Sequence, residues 1–173
     1  TNLFHKDMRT FIVCTILVFC SLVIGCAVRA YRIPTAAMSP TINPGDGAIG
    51  DELSFKLGAE VGFDIVVFDS PPVPWDDNQR SKFIFRVIGL SGEKVEIKNG
   101  RVLINDAPLD EPFQKIDSTD DFGPLVVPEN EYFMLGDNRP NSWDSRFWNP
   151  ATIKKGDIHG KVVEILPGYY KEK

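Results

Sequence analysis

Alternating apolar and polar positions predict short β-strands along most of this chain. The clearest alternation covers residues 94–106, where Val95 and Ile97 are separated by charged residues and the pattern resumes after Asn99 and Gly100. An Asn-Gly pair between two alternating runs suits a two-residue type I′ turn, so this segment predicts a β-hairpin. Further strands are predicted at residues 64–68, 83–88, 132–135 and 161–166.

Other parts of the chain lack this alternation. Residues 33–50 are rich in proline and glycine and show no helical period, which predicts an irregular entry segment. Residues 107–127 are rich in acidic residues and proline, and they predict a long loop. Beyond residue 30 no long stretch has an apolar period of 3.6 residues, so we expect little helix.

A continuous apolar run near the N-terminus predicts a membrane span. Residues 11–28, FIVCTILVFCSLVIGCAV, contain no charge and no proline. As an α-helix this run would be roughly 27 Å long, which approaches the roughly 30 Å of a bilayer's hydrocarbon core. The sequence therefore divides into a short tail at 1–10, a transmembrane anchor at 11–29 and a β domain at 30–173.

A cleavable signal peptide is the alternative interpretation of the apolar run. That interpretation requires a shorter apolar core and small residues at a cleavage site. Arg29 and Arg32 lie where such a site would be, which favours an uncleaved anchor. Basic residues flank the run almost equally on both sides, so charge does not set its orientation.

Composition and charge narrow the classes of function. The net charge is −5 and the pI is about 5.0, so the chain lacks the basic surface that binding to nucleic acid requires. The three cysteines, Cys14, Cys20 and Cys26, all lie in the apolar run. They do not share one helix face, so we do not expect a metal site. The β domain contains no cysteine, so its stability does not come from disulfides. We expect no cofactor.

Four stretches in order carry a resemblance to a known family. They are IPTAAMSPT at 33–41, GFDIVVF at 62–68, FRVIGLSGEKVEI at 85–97 and GDNRPNSWDSR at 136–146. Together they resemble the type I signal peptidases of family S26, membrane-anchored Ser–Lys proteases that cut leader peptides from exported proteins. The resemblance implies a mainly β fold, an antiparallel β domain of coiled sheets behind one transmembrane helix. It also implies that this domain lies on the trans side of the membrane, in periplasm, cell-wall space or thylakoid lumen.

Two positions depart from the family pattern where its chemistry resides. The family's PSxSM stretch has the nucleophilic serine directly before the methionine, and here that position is Ala37, before Met38. Its KRVIGxPGD stretch has the lysine general base directly before the arginine, and here that position is Phe85. Alanine has no nucleophile and phenylalanine accepts no proton, so neither reacting group is present. The resemblance assigns Thr35 an oxyanion hydroxyl and leaves Thr35 and Met38 as remnants of the groove.

The rest of the family signature is retained. The resemblance implies a buried polar cluster behind the active site, a turn that delivers the last motif, and a serine that faces the lysine in active members. Since Asp144 and Arg146 are two apart, an extended segment would place them on one face and allow a bidentate pair. The residues of this set are Arg86, Asp137, Asn138, Arg139, Ser142, Asp144 and Arg146.

Three other side chains are candidates to replace the missing groups. Ser39 lies two residues beyond Ala37, and Lys82 lies three before Phe85, an odd offset that puts it on the opposite face of a strand. His159 belongs to none of the motifs, and we expect it at the surface.

Three hypotheses of function follow. The first is an inactive signal peptidase homologue that serves as a membrane-anchored accessory or structural subunit, with the bilayer and other membrane proteins of a larger complex as partners. The second is a pseudoprotease that captures leader peptides, with extended peptides as partners; an open groove beside residues 35–38 would favour it, and a groove filled by Phe85 would oppose it. The third is an active signal peptidase I, rewired or represented here by a mutant.

Overall fold

The computed structural model describes residues 28–56, 62–74, 81–114 and 116–170. The predicted tail at 1–10 lies outside these residues, and so does nearly all of the predicted anchor. Its last two positions, Val28 and Arg29, are described and lie in a β-strand, so the predicted boundary of 11–29 is too long at its C-terminal end. No helix within the described ranges is long and apolar enough to cross a membrane.

The described residues form a mainly β fold with two antiparallel sheets. Eleven strands occur in chain order: β1 (Val28–Arg32), β2 (Gly47–Asp51), β3 (Ile65–Asp69), β4 (Lys82–Gly89), β5 (Lys94–Lys98), β6 (Arg101–Ile104), β7 (Ala107–Pro108), β8 (Phe122–Val126), β9 (Glu131–Leu135), β10 (Ile153–Lys154) and β11 (Ile158–Leu166). The larger sheet has the order β1-β2-β11-β3-β4-β9-β10, and the smaller sheet has the order β7-β6-β5-β8. One short helix, α1 (Glu52–Lys56), and two 3₁₀ turns, Arg139–Asn141 and Lys155–Asp157, complete the described elements.

The predicted hairpin and the four other predicted strands are confirmed. β5 and β6 pair with Val95 opposite Ile104, and the turn residues Asn99 and Gly100 have φ of 48° and 76°. Positive φ at both central positions is what a type I′ turn requires, and it explains the Asn-Gly pair.

Two predictions of irregular structure are wrong in part. Gly47–Asp51, which fell within the entry segment, forms β2 and pairs with both β1 and β11. Phe122–Val126, which fell within the predicted long loop, forms β8 and pairs with β5. β8 contains Gly123-Pro124, which reads as a turn signal, but an edge strand tolerates proline because one of its sides needs no hydrogen bonds.

β4 and β9 join two hydrophobic cores because both strands are buried on both faces. Val87 and Met134 pack into a core with Phe68, Phe85 and Trp148. The alternate residues of the same strands pack against the smaller sheet in a second core of Ile88, Val95, Ile97, Val102, Val127, Phe133 and Leu135. Burial on both faces explains why residues 83–88 read as a nearly continuous apolar run. The four stretches at 33–41, 62–68, 85–97 and 136–146 meet beside the first core.

Candidate functional site

The segment at 33–41 forms a tight turn that is hydrogen-bonded to the glycine-led motif at 136–146. The Asn138 backbone N–H donates to the carbonyl oxygen of Ala37 at 3.0 Å, and Asn138 Nδ2 donates to the carbonyl oxygen of Ala36 at 2.9 Å. Ala37 and Met38 are buried, with 8% and 3% of their surface exposed. The fold therefore brings the two distant motifs together, with the methyl group of Ala37 at the position that the resemblance assigns to a nucleophile.

Gly136 permits this close approach. A Cβ atom at position 136 would lie 2.6 Å from the carbonyl oxygen of Ala37 and 2.3 Å from Ser142 Oγ. Neither distance is compatible with a side chain, so glycine is required here by packing against the backbone.

Phe85 belongs to an aromatic cluster, which is defined here as Phe68, Phe83, Phe85, Trp143 and Trp148. The ring centroid of Phe85 lies 6.0 Å from that of Phe68, 5.6 Å from that of Phe83 and 6.1 Å from that of Trp148. Phe85 is 5% exposed, and its contacts are the tilted and edge-to-face arrangements that aromatic rings favour. The position assigned to a lysine base is thus an apolar packing site.

The side-chain hydroxyl of Ser142 has no hydrogen-bond partner. Its Oγ atom is buried and is the sole buried side-chain polar atom, among the described residues, that lacks a partner. The resemblance implies that this serine faces the lysine of active relatives. With phenylalanine at position 85, the hydroxyl of Ser142 keeps its place between Gly136 and the turn without a group to bond.

Arg86 anchors the turn at Asp137. Its Nε donates to Asp137 Oδ1 at 2.9 Å and its Nη2 donates to Asp137 Oδ2 at 2.7 Å, which makes the pair bidentate. Thr41 donates its hydroxyl to the same carboxylate at 2.5 Å, and Arg86 also donates to the carbonyl oxygen of Phe63 at 2.7 Å. The Arg86 guanidinium lies 3.9 Å from the centre of the Phe113 ring. A buried carboxylate with this many donors is held in one orientation.

Asp144 and Arg146 form the bidentate pair that their spacing predicts. Arg146 Nε donates to Asp144 Oδ1 at 2.8 Å and Nη2 donates to Asp144 Oδ2 at 2.9 Å, and Asp144 is fully buried. Asp144 also accepts the backbone N–H of Gly136 at 3.1 Å, while Arg146 Nη1 donates to Asp120 at 2.5 Å. This pair shares no residue with the Arg86–Asp137 pair, so the motif at 136–146 takes part in separate ion pairs.

Arg139 pairs with a residue that the sequence analysis missed. Its Nη2 donates to Glu111 in a charge pair whose two side chains are 1% and 6% exposed, and its Nε donates to the carbonyl oxygen of Gly136 at 3.0 Å. Glu111 and Asp120 come from the segment expected to be a loop, and together they fix it to the motif through two arginines. In the sequence, the richness of that segment in acidic residues was the one signal that it could pair with the arginines.

An open groove runs beside the aromatic cluster. Its volume is about 440 Å³. On one side lie residues 31–35 and Met38, and on the other lie residues 81–85, with Asn141 and Trp143 completing the wall. Residues 82–85 of β4 pair with β3, whereas pairing of β4 with β9 begins only at Arg86. One backbone edge of β4 therefore faces the groove, and Phe85 forms part of its wall without closing it.

The side chains that could substitute for the missing groups are bonded to other partners. Lys82 Nζ donates to Asp69 Oδ1 at 2.5 Å and contacts His159, whose Nε2 lies 3.0 Å from Asp69 Oδ2. Partial burial acts to raise the pKa of Asp69, but the hydrogen bonds from Lys82 and His159 outweigh it and lower that pKa below its usual range. Ser39 directs its hydroxyl to the carbonyl oxygen of Ile42 at 3.5 Å. His159 is partly exposed rather than fully at the surface.

No group of three histidine, cysteine, aspartate or glutamate side chains with metal-binding geometry occurs in the described part of the chain. The groove offers a strand edge, an apolar wall and two cations.

Comparison with known families matches residues 6–166 to the family described as signal peptidase, peptidase S26. A probable signal peptidase I-2 from Synechocystis sp. is 37% identical over 120 residues, which cover 69% of this chain and 55% of that protein. The signal peptidase I of Leptolyngbya laminosa is 37% identical over 137 residues, which cover 78% of this chain and 66% of that protein. The probable thylakoidal processing peptidase 2 of Arabidopsis thaliana is 36% identical over 76% of this chain and 36% of that protein.

A crystal structure of a signal peptidase I from Enterococcus faecalis V583 aligns with a TM-score of 0.49 and 32% identity, over 61% of this chain and 97% of that one. The matches to the first curated relatives span between about a third and two thirds of those proteins' lengths.

Proposed function

Because the chain belongs to the peptidase S26 signal peptidase family, we propose that it is a non-cleaving member that holds extended peptides in the groove beside Thr35 and Phe85. The observation that carries this proposal is the open groove of about 440 Å³ next to a site without reacting groups. An open groove is the feature that distinguishes peptide capture from a purely structural role.

The absence of cleavage follows from the side chains at two positions. Ala37 offers no oxygen to attack a peptide carbonyl, and Phe85 offers no amine to accept a proton. The hydroxyl of Thr35 could still donate to a developing oxyanion, but such a donor contributes only part of the acceleration when the nucleophile is missing. Lys82 does not replace the base, because its ammonium is bonded to Asp69 at 2.5 Å.

Peptide capture would use the free backbone edge of β4. An extended peptide can add to an unpaired strand edge, where main-chain hydrogen bonds supply affinity and alternate side chains enter pockets. Residues 82–85 offer such an edge on the side away from β3. The opposite wall at Ile33, Pro34 and Thr35 would cover the other side of the peptide.

The full chain in detergent and a fluorescent leader peptide test this proposal. We expect saturable binding by fluorescence polarisation and no product by mass spectrometry, whereas the double variant Ala37→Ser, Phe85→Lys is expected to produce cleavage. The exposed residue Thr35 permits a blocking variant, Thr35→Trp, with Thr119→Trp as the matched control at an exposed threonine away from the groove. Binding lost only in Thr35→Trp would support capture.

Cleavage by the unaltered chain would show an active signal peptidase and refute the proposal that the site does not cleave. No saturable binding would overturn peptide capture and favour the second candidate, a membrane-anchored accessory subunit.

The accessory role is favoured by the retained ion pairs of Arg86, Arg139 and Arg146, which maintain the scaffold without serving catalysis. In either role we propose that the apolar run before β1 anchors the chain and that the β domain lies on the trans side. Isolation from native membranes in mild detergent tests the accessory role, since a stoichiometric set of membrane proteins would identify a complex.

A further inference from the structure

The charges that line the groove are all of one sign. Arg32 and Lys82 are its charged residues within the described part of the chain, and no aspartate or glutamate lines it. Resting on the proposed function, we infer that the groove selects extended peptides that carry an acidic side chain at the position facing Arg32. This preference depends on the charge of one peptide side chain, and it is separate from any selection by side-chain size at the apolar wall.

Arg32 carries the unbalanced charge of the groove. It is exposed, and its side chain makes no ion pair or hydrogen bond with another described residue. Arg29, on the same strand, differs because its Nε lies 3.1 Å from Glu52 Oε1. The ammonium of Lys82 is balanced by Asp69 at 2.5 Å. Among the described residues, the guanidinium of Arg32 is thus the groove cation that lacks a counter-charge.

The apolar wall strengthens the effect of this cation. Ile33, Met38, Phe83 and Trp143 line the same groove and would exclude water from a bound peptide. A charge beside a low-dielectric wall acts on an opposite charge more strongly than one surrounded by water. A carboxylate would form a bidentate pair with the planar guanidinium, which neutral side chains cannot do.

The position of the acidic residue along the peptide follows from strand geometry. Four successive antiparallel pairings separate β1 from β4 in the larger sheet, so the two strands run in the same direction. Arg32 lies three residues before Thr35, and Lys82 lies three residues before Phe85, which puts both cations toward the same end of the groove. Three residues of extended chain span about 10 Å. The acidic side chain would therefore lie about three residues from the peptide unit that rests beside Phe85.

A scan with a single acidic residue tests this inference. The probes are fluorescent eight-residue peptides of alanine and leucine with an acetylated N-terminus and an amidated C-terminus. Each peptide carries one glutamate at a different position, and the same peptide with glutamine at that position is its neutral control. They are titrated into the full chain in an uncharged detergent. We expect one glutamate position to bind roughly 1.5- to five-fold more tightly than its glutamine counterpart, the range for a partly exposed charge pair.

The variant Arg32→Gln is expected to remove that difference while the glutamine peptides bind as before. Arg101→Gln, at an exposed arginine on β6 away from the groove, is the matched control and should keep the difference. Added salt should reduce the preference for glutamate without removing the binding of the glutamine peptide.

Each other outcome overturns the inference in a distinguishable way. Equal and saturable binding of glutamate and glutamine peptides would refute the charge preference and leave peptide capture intact. A preference that persists in Arg32→Gln would refute the assigned residue, and binding confined to peptides with a free terminal carboxylate would refute an acidic side chain as the ligand. No saturable binding of any peptide would overturn both the inference and the proposed function.

Discussion

Replacing Ser142 with alanine is expected to stabilise the protein, although most substitutions of buried residues destabilise. The reason is that the hydroxyl of Ser142 is buried without a hydrogen-bond partner. A buried polar group without a partner has lost its hydration and gained nothing in return. Removing the oxygen therefore removes the cost of burying it.

The expected magnitude follows from two opposing contributions. The free energy lost by burying an unsatisfied hydroxyl is about 1–3 kcal/mol. Removing one oxygen leaves a void of roughly 10 Å³, which at about 24 cal/mol per Å³ lowers stability by only about 0.2 kcal/mol. We expect Ser142→Ala to raise the free energy of unfolding by about 1–2 kcal/mol. For a chain of this size such a change raises Tm by about 2–8 °C.

Ser145 provides a matched control three residues away. It is buried, as Ser142 is, but its Oγ accepts the backbone N–H of Met134 at 2.9 Å. Ser145→Ala removes that acceptor, so the free energy of unfolding should fall by about 1–3 kcal/mol. Urea denaturation of the two variants and the unaltered chain, followed by tryptophan fluorescence, compares two serine-to-alanine changes of opposite expected sign.

A decrease in stability of Ser142→Ala, similar to that of Ser145→Ala, would refute the reasoning. It would mean that the Ser142 hydroxyl gains a partner in solution, for example an ordered water. Phe85→Lys gives a further check, because an amine at position 85 should bond this hydroxyl and abolish the advantage of alanine at position 142.

Three further predictions concern other contacts of the site. Glu111→Gln should lower the free energy of unfolding by about 3–5 kcal/mol in urea denaturation, because it leaves the buried charge of Arg139 unpaired. Gly136→Ala should lower it by about 1–3 kcal/mol, since the added Cβ would lie 2.6 Å from the backbone oxygen of Ala37, which cannot rotate away. Asp69→Asn should be less stable than the unaltered chain near neutral pH and nearly equal to it in acid. The pKa of Asp69 is lower in the folded state than its usual value, so its carboxylate stabilises the fold at any pH above that usual value. This contribution is lost as the pH falls through the folded-state pKa.

Each of these predictions has a control. Asp106→Asn is the control for Glu111→Gln, because it removes an exposed partner of Lys94 and should change the free energy of unfolding by less than about 1 kcal/mol. If Glu111→Gln lowered the free energy of unfolding by no more than Asp106→Asn does, burial of the ion pair would not matter. Combining Gly136→Ala with Ser142→Ala should not restore stability fully, because the backbone contact remains. A difference between Asp69→Asn and the unaltered chain that grows in acid would contradict the direction of the pKa change.

Local signals in the sequence were sufficient for much of this protein. The alternation around Asn99 and Gly100 predicted the hairpin, because a two-residue periodicity and a turn that needs positive φ are both properties of neighbouring residues. The ordered motifs predicted the family, and they showed which side chains occupy positions 37 and 85. β8 escaped prediction because Gly123-Pro124 is locally a turn signal, and only its place at a sheet edge makes it a strand.

Contacts between distant segments were decided only by the tertiary structure. Glu111 and Arg139 are 28 positions apart, and nothing in either neighbourhood indicates that they form a buried pair. The sequence likewise left open whether Phe85 fills the groove, because that depends on the space beside Phe68 and Trp148, which come from other segments. Side-chain identity determined which groups stand at positions 37 and 85, whereas packing between distant segments determined which groove lies beside them.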